Sequence, residues 1–289
     1  MRLRASLRAD LEFLVEDIGP RNAWRYKALK QTVDFLEREL EAIGCRVERQ
    51  TYALRGQEFH NLEVEMRGSR APGRIVLFGA HYDTVAVPGC AGANDNGSGV
   101  VALLALVRAL ARTEPELTLR FVFFVNEEPP FFPGPEMGSR VYARRSRSRA
   151  EDIVAMFSLE TIGYYSERPG SQRYPPLVRW FYPDRGNFLA FVGNLSSRSL
   201  VNRAVAAFQR GTSLPAEGAG LPGWLPGISW SDHASFWKEG FPALMVTDTA
   251  PYRYPHYHTA QDTLDKIDFD GLTRAVVGLV EVARDFGRA

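Results

Sequence analysis

RIVLFGAHYD, residues 74–83, decides the fold reading. Four consecutive large apolar side chains, Ile75 to Phe78, run without a polar interruption into a histidine and an aspartate. A strand with one face in water alternates apolar and polar residues, so a continuous apolar run predicts a strand buried on both faces. The pattern recurs three times. TLRFVFFVNEE (118–128) ends in two glutamates, DIVAMFSLE (152–160) in one, and PALMVTD (242–248) in an aspartate. Between RIVLFGAHYD and TLRFVFFVNEE lies VVALLALVRALAR (100–112), a buried helix with the glycine-rich PGCAGANDNGSG (88–99) at its start.

Outward from this centre, residues 3–17 and Tyr26 to Ile43 carry apolar positions at helical spacing, the second run stopped at Gly44. CRVERQTY (45–52) and FHNLEVEMRG (59–68) alternate like paired strands. Further helices are expected from Gly138 to about Ser146, near Ser199 to Arg210, and from Asp270 to the end. Strands alternating with helices predict an α/β fold, one domain over 1–289, with a mostly parallel central sheet flanked by helices. Two stretches, 164–187 and 211–230, are rich in Pro, Gly and aromatics and too long for simple connections. They read either as proline-stiffened surface loops or as a wall over a cleft. The basic run SRVYARRSRSR (139–149) reads as a solvated helix face.

The 289 residues carry a formal charge of +1, which gives no global reason to expect nucleic acid or an anionic membrane as partner. Cys45 and Cys90 are too few for a disulfide framework and are expected as thiols. No apolar run reaches membrane-spanning length and the first residues lack a signal-peptide core, so a cytoplasmic protein is expected.

Ligand-type residues gather at the predicted strand ends: His81 and Asp83, Asp95, Glu127 and Glu128, Glu160, and His256 with His258. Sites in open α/β sheets form beyond the carboxyl ends of strands. So many carboxylates repel one another unless cations neutralise them. Imidazole and carboxylate donors suit zinc, and their number suits two ions sharing a carboxylate better than one. Glu127 and Glu128, adjacent at a strand end, point in different directions. One therefore suits a metal and the other general-base work on water. Of His256 and His258, one ligand and one neighbour is the expectation. His233 either lines the site, binding substrate, or caps the helix after it, and His60 reads as a hairpin residue. Phe131, Phe132, Trp180, Phe181, Tyr182, Trp224 and Trp230 build an apolar pocket or belong to the core.

Six blocks in order resemble the M28 family of zinc metallopeptidases: GAHYDTV (79–85), GANDNGSG (92–99), NEE (126–128), SLETIGYY (158–165), SDHASF (231–236) and HTAQDT (258–263). With the GPR turn at Gly19 to Arg21, the resemblance covers nearly the whole chain. It implies two zinc ions, the first held by His81 and Glu160, the second by Glu128 and His258, and both bridged by Asp95. Glu127 would be the general base, Asp83 would orient His81, and Asp95–Asn96 would be a cis peptide. Glu160 stands where many members have aspartate, which leaves room for another divalent metal at that position. The activity implied is removal of N-terminal residues from peptide or aminoacyl substrates. A glutaminyl cyclase-like enzyme, or a peptide-binding protein on a peptidase fold, are the alternatives.

Overall fold

Side chains along each central strand divide between two cores, which explains the unbroken apolar runs. A computed structural model describes residues 2–175 and 178–289. In β3 (Ala71–His81), Val76, Phe78 and Ala80 enter one core while Ile75 and Leu77 enter the other. β4 (Leu117–Phe124) divides in the same way, with Phe121 and Phe123 against Val122 and Phe124. The stacked rings of Phe78 and Phe157 (centroids 4.7 Å apart) tie β3 to β5 (Asp152–Glu160).

All eight strands form one sheet in the order β1-β2-β4-β3-β5-β8-β6-β7. Its middle four strands, β4, β3, β5 and β8 (Ala243–Thr247), are mutually parallel. At one edge β1 (Val47–Leu54) and β2 (Gln57–Met66) form the expected hairpin, and β2 runs antiparallel to β4. At the other edge β6 (Leu189–Gly193) runs antiparallel to β8 and parallel to β7 (Ala216–Gly220).

Residues of α1 (Arg2–Glu12), α2 (Tyr26–Ala42), α3 (Gly99–Leu110), α5 (Arg198–Gly211) and α7 (Phe269–Phe286) fill the larger core. α4 (Gly138–Ser148) and α6 (His233–Lys238) cover the other face through Tyr142, Ala143 and Phe236. The basic run on α4 is less solvated than its composition suggests. Arg145 meets Glu63 at 2.7 Å and Arg140 meets Glu239 at 2.9 Å, tying the helix to its surroundings. Cys45 and Cys90 are free thiols. Among the described residues no helix is long and apolar enough to cross a membrane.

Of the two aromatic-rich stretches, 211–230 contains β7, and 164–187 contains a 3-10 turn at Val178–Trp180, with residues 176–177 outside the described residues. AEGAG offers neither β-branched residues nor apolar alternation, so nothing local marks β7 as a strand. Its pairing with β6 supplies the structure that its composition lacks.

Candidate metal centre

Four parallel strands deliver the donors to one rim. His81 ends β3, Glu127 and Glu128 follow β4 in the next turn, Glu160 ends β5, and His258 follows β8. Beside three donors the backbone is left-handed without glycine: Asn126 (φ +58°), Thr161 (φ +48°) and His258 itself (φ +56°). Such conformations cost energy and persist only where surrounding contacts hold them. For Thr161 the contact is plain, its N–H donating to Asn96 Oδ1 at 3.0 Å. The Asp95–Asn96 peptide is cis, as the resemblance implied.

Asp95 sits between two imidazoles. Its Oδ1 lies 3.4 Å from His81 Nε2 and its Oδ2 lies 3.0 Å from His258 Nε2. A second carboxylate joins each histidine: Glu160 Oε2 at 3.2 Å from His81 Nε2, and Glu128 Oε2 at 3.2 Å from His258 Nε2. The donors thus fall into two sets sharing one residue, His81–Asp95–Glu160 and Asp95–Glu128–His258. The Glu127 carboxylate reaches only to 3.9 Å from His81 Nε2 and belongs to neither set.

The electrostatics of this rim are those of a site built around positive charge. Burial pushes the Glu128 carboxyl up to about 8, with Asp95 adding to it. Burial likewise raises Glu127 well above the usual carboxylate range, reinforced by Glu160, Asp232 and Glu128 against the opposing pull of His81. For the imidazoles burial acts downward, but the acids outweigh it. Glu160 and Glu127 hold His81 well above its ordinary value, and Asp95 with Glu128 lifts His258 to about 10. Burial would raise Asp95, yet the two histidines hold it low. His81 Nε2, His258 Nε2, Asp95 Oδ2 and Glu128 Oε1 are buried without a hydrogen-bond partner among the described residues. Buried polar atoms are rarely left unpaired. The first three of these lie among the donor atoms of the two sets, where a divalent cation accepting nitrogen and oxygen donors fits.

Other buried carboxylates fix the donor loops through their backbone. Asp83 was expected to orient His81, and the ring Nδ1 does lie 3.6 Å from its Oδ1. Its carboxylate also accepts the N–H groups of Glu127 (3.1 Å) and Glu128 (3.2 Å), and its backbone carbonyl lies 3.2 Å from His81 Nδ1. Asp262 does the same for the other loop, accepting from Asn94 N (2.8 Å), Asp95 N (3.0 Å) and the Tyr254 hydroxyl (2.7 Å). Arg21, fully buried, donates to the carbonyls of Tyr82, Ala91 and Gly92 and so joins the two loops. Gly92 has φ +61°, and a Cβ there would meet the Asp95 carbonyl at 2.2 Å. Ser231 Oγ donates to Glu160 Oε2 at 2.7 Å, which places the longer glutamate side chain within reach of His81. The ring of Tyr257 stacks on His258 at 3.9 Å.

His233 is the expectation the structure redirects. It begins α6 fully buried, with its ring edge-on to Trp237 and its Nε2 donating to the Ile228 carbonyl at 2.8 Å. Its Nε2 is committed to the 211–230 loop, while its Nδ1 has no hydrogen-bond partner among the described residues. Its neighbour Asp232 was missed, although it is buried with neither carboxylate oxygen hydrogen-bonded among the described residues, and burial pushes it up to about 7. Asp232, Asp262, Ser231 and Arg21 all lie in the sequence blocks already singled out. Only Asp262 carried a local signal, standing four positions after the donor His258. Of the seven aromatics, Tyr182 and Trp230 line a cavity beside Glu160, while Trp180, Phe181 and Trp224 stand in solvent and Phe131 packs on Phe59.

Comparison with known proteins bears on the family and the fold. The sequence profile of peptidase family M28 matches residues 61–283. The Escherichia coli protein YfbL is 35% identical over 281 residues, covering 95% of this chain and 85% of its own. A probable leucine aminopeptidase of Trichophyton verrucosum is 26% identical over 259 residues, and the matched part spans 86% of this chain but only 61% of that protein. Two solved structures share the fold. The zinc aminopeptidase BSAP of Bacillus subtilis superposes with a TM-score of 0.76 at 16% identity, covering 98% of this chain and 95% of that one. A glutaminyl cyclase of Bacteroides thetaiotaomicron gives 0.72 at 20% identity, covering 96% of each. The profile match spans most of the sequence and agrees with the order of the strand-end blocks: the chain belongs to peptidase family M28.

Proposed function

We propose that the protein is a zinc-dependent aminopeptidase, hydrolysing the first peptide bond of peptide or aminoacyl substrates at a two-zinc centre. The observation that carries this reading is the division of Asp95, whose two oxygens face two different histidines, each accompanied by its own glutamate. His81, Asp95 and Glu160 would hold one ion, and Asp95, Glu128 and His258 the other. When bound, zinc supplies Lewis acidity that polarises the scissile carbonyl and eases deprotonation of water.

The chain's own residues do the rest. Glu127 borders the centre without joining either donor set, and its carboxylate makes no hydrogen bond among the described residues. It is therefore free to take a proton from the attacking water and pass it to the departing amine. Asp83 fixes where that carboxylate starts, through the Glu127 amide. The Ser231 bond to Glu160 and the Asp262 bonds to the Asp95 loop keep the donors in place between turnovers.

The test is hydrolysis of L-aminoacyl p-nitroanilides by zinc-loaded protein, with Glu127→Gln alongside. Wild type is expected to turn over at least one substrate, lose activity on chelation and regain it with zinc. Glu127→Gln is expected to keep its zinc while kcat falls by about 10²–10⁴-fold. Undiminished activity in that variant removes Glu127 from the chemistry.

A further inference from the structure

One row of residues crosses the sheet from the metal centre to its far edge. Glu160 pairs with Thr247, Thr247 with Ala190, and Ala190 with Glu217. Residues paired across strands point to the same face. The row therefore begins at a metal donor and ends at a second carboxylate three strand spacings away, roughly 14 Å. All four residues line one cavity.

Between its ends this cavity is apolar. Phe188, Val192 and Met245 form the floor, and Leu225 and Ile228 of the 211–230 loop form a wall. Around Glu217 the lining changes. Tyr174 and Tyr182 stack there with centroids 5.8 Å apart, but their hydroxyls already donate to the carbonyls of Pro183 (2.6 Å) and Gly218 (3.2 Å). Neither is left for the carboxylate. Glu217 has no ion-pair or hydrogen-bond partner among the described residues, and burial raises its carboxyl above the usual range. Arg173 also borders the cavity, but it is solvent-exposed and makes no ion pair with Glu217.

A pocket meant only for leucine or methionine gains nothing from a carboxylate in its wall, because desolvating an unpaired charge is unfavourable. The same carboxylate beside two aromatic rings is a good receiver for a cation, by charge-assisted hydrogen bonding and by attraction to the ring faces. An acidic side chain would meet repulsion from Glu217.

We propose that this cavity takes the side chain of the substrate's N-terminal residue and selects long chains ending in a positive charge, lysine or arginine. Glu217 is then the specificity-determining residue. Methylene groups lie along the apolar floor, and the ammonium or guanidinium meets Glu217. The proposal rests on the aminopeptidase reading for its placement of the substrate's α-carbon beside Glu160.

The experiment compares charged substrates with neutral ones of similar shape: lysyl against norleucyl, and arginyl against citrullyl p-nitroanilides, for wild type and Glu217→Gln. The expected wild-type preference for the charged member, in kcat/KM, is about 10- to 100-fold, and it collapses toward unity in the variant. Equal turnover of the members of each pair by wild type, or a preference that survives in Glu217→Gln, overturns the proposal. In parallel, butylguanidinium and butylurea are titrated calorimetrically into zinc-loaded protein. Tighter binding of the cation, lost in Glu217→Gln, supports the pocket, and equal binding overturns it. Silence across the whole substrate panel removes the aminopeptidase reading instead, and the titration still decides what the cavity binds.

Discussion

Glu160 and Glu217 stand at opposite ends of one row across the sheet, and their surroundings could hardly differ more. The Glu160 carboxylate is held by Ser231 and faces His81, inside a shell where Asp83, Asp262 and Asn96 anchor the Glu127–Glu128 turn, the Asp95 loop and the end of β5. Glu217 sits on an edge strand beneath two loops whose large aromatics are mostly in water, Trp180 72% exposed and Trp224 81%. The first end holds its donors through hydrogen-bonded neighbours, as metal chemistry demands. The second end asks only for a slot of the right polarity, and its loops can vary without disturbing the donors.

Each end has a buried anchor that can be removed, so the contrast can be broken at either. The larger effect is expected at the donor end. Asp262→Ala leaves the amides of Asn94 and Asp95 and the Tyr254 hydroxyl without their acceptor, about 1–3 kcal/mol for each buried donor. With the bridging loop loosened, zinc affinity should fall about 10- to 100-fold in a chelator competition. An unchanged affinity would mean that the loop holds its shape without this carboxylate.

A smaller and reversible effect is expected at the pocket end, where His233 holds the Ile228 carbonyl. Burial lowers this imidazole from 6.5 to about 4, since a proton on its unpaired Nδ1 would place charge in an apolar setting against Trp237. The folded state then resists a proton that the unfolded chain accepts. The stability contribution is complete above pH about 6.5 and is lost as pH falls toward about 4, up to roughly 3 kcal/mol. His233→Gln keeps a donor for Ile228 but cannot titrate. Urea midpoints of wild type should fall further than those of the variant between pH 7 and pH 4.5. Parallel curves would show that His233 does not carry this dependence.

The same contrast explains what was legible in the sequence. The donor strands are buried on both faces, so their apolar runs and polar ends stand out in one dimension, and the parallel centre of the sheet followed from them. His81, Asp95, Glu128, Glu160 and His258 fall into the two sets that the family resemblance implied, at the rim where the strand ends gather. The anchoring roles of Asp83 and Asp262 were hidden, because they act on backbone amides far away in sequence. The direction of His233 depends on Trp237 and on a loop five residues before it, neither of which periodicity reports. β6 and β7 are short, and β7 is nearly featureless, so the row ending at Glu217 appears only once the strands are paired.

The most direct test of the account is a zinc titration of chelated protein, following hydrolysis of an aminoacyl p-nitroanilide against equivalents added. A centre divided by Asp95 predicts that the rate rises until two equivalents per chain are bound, and that His258→Ala binds only one tightly. Full activity at a single equivalent, or a wild-type protein that never holds a second ion, would contradict the two-set reading of the site.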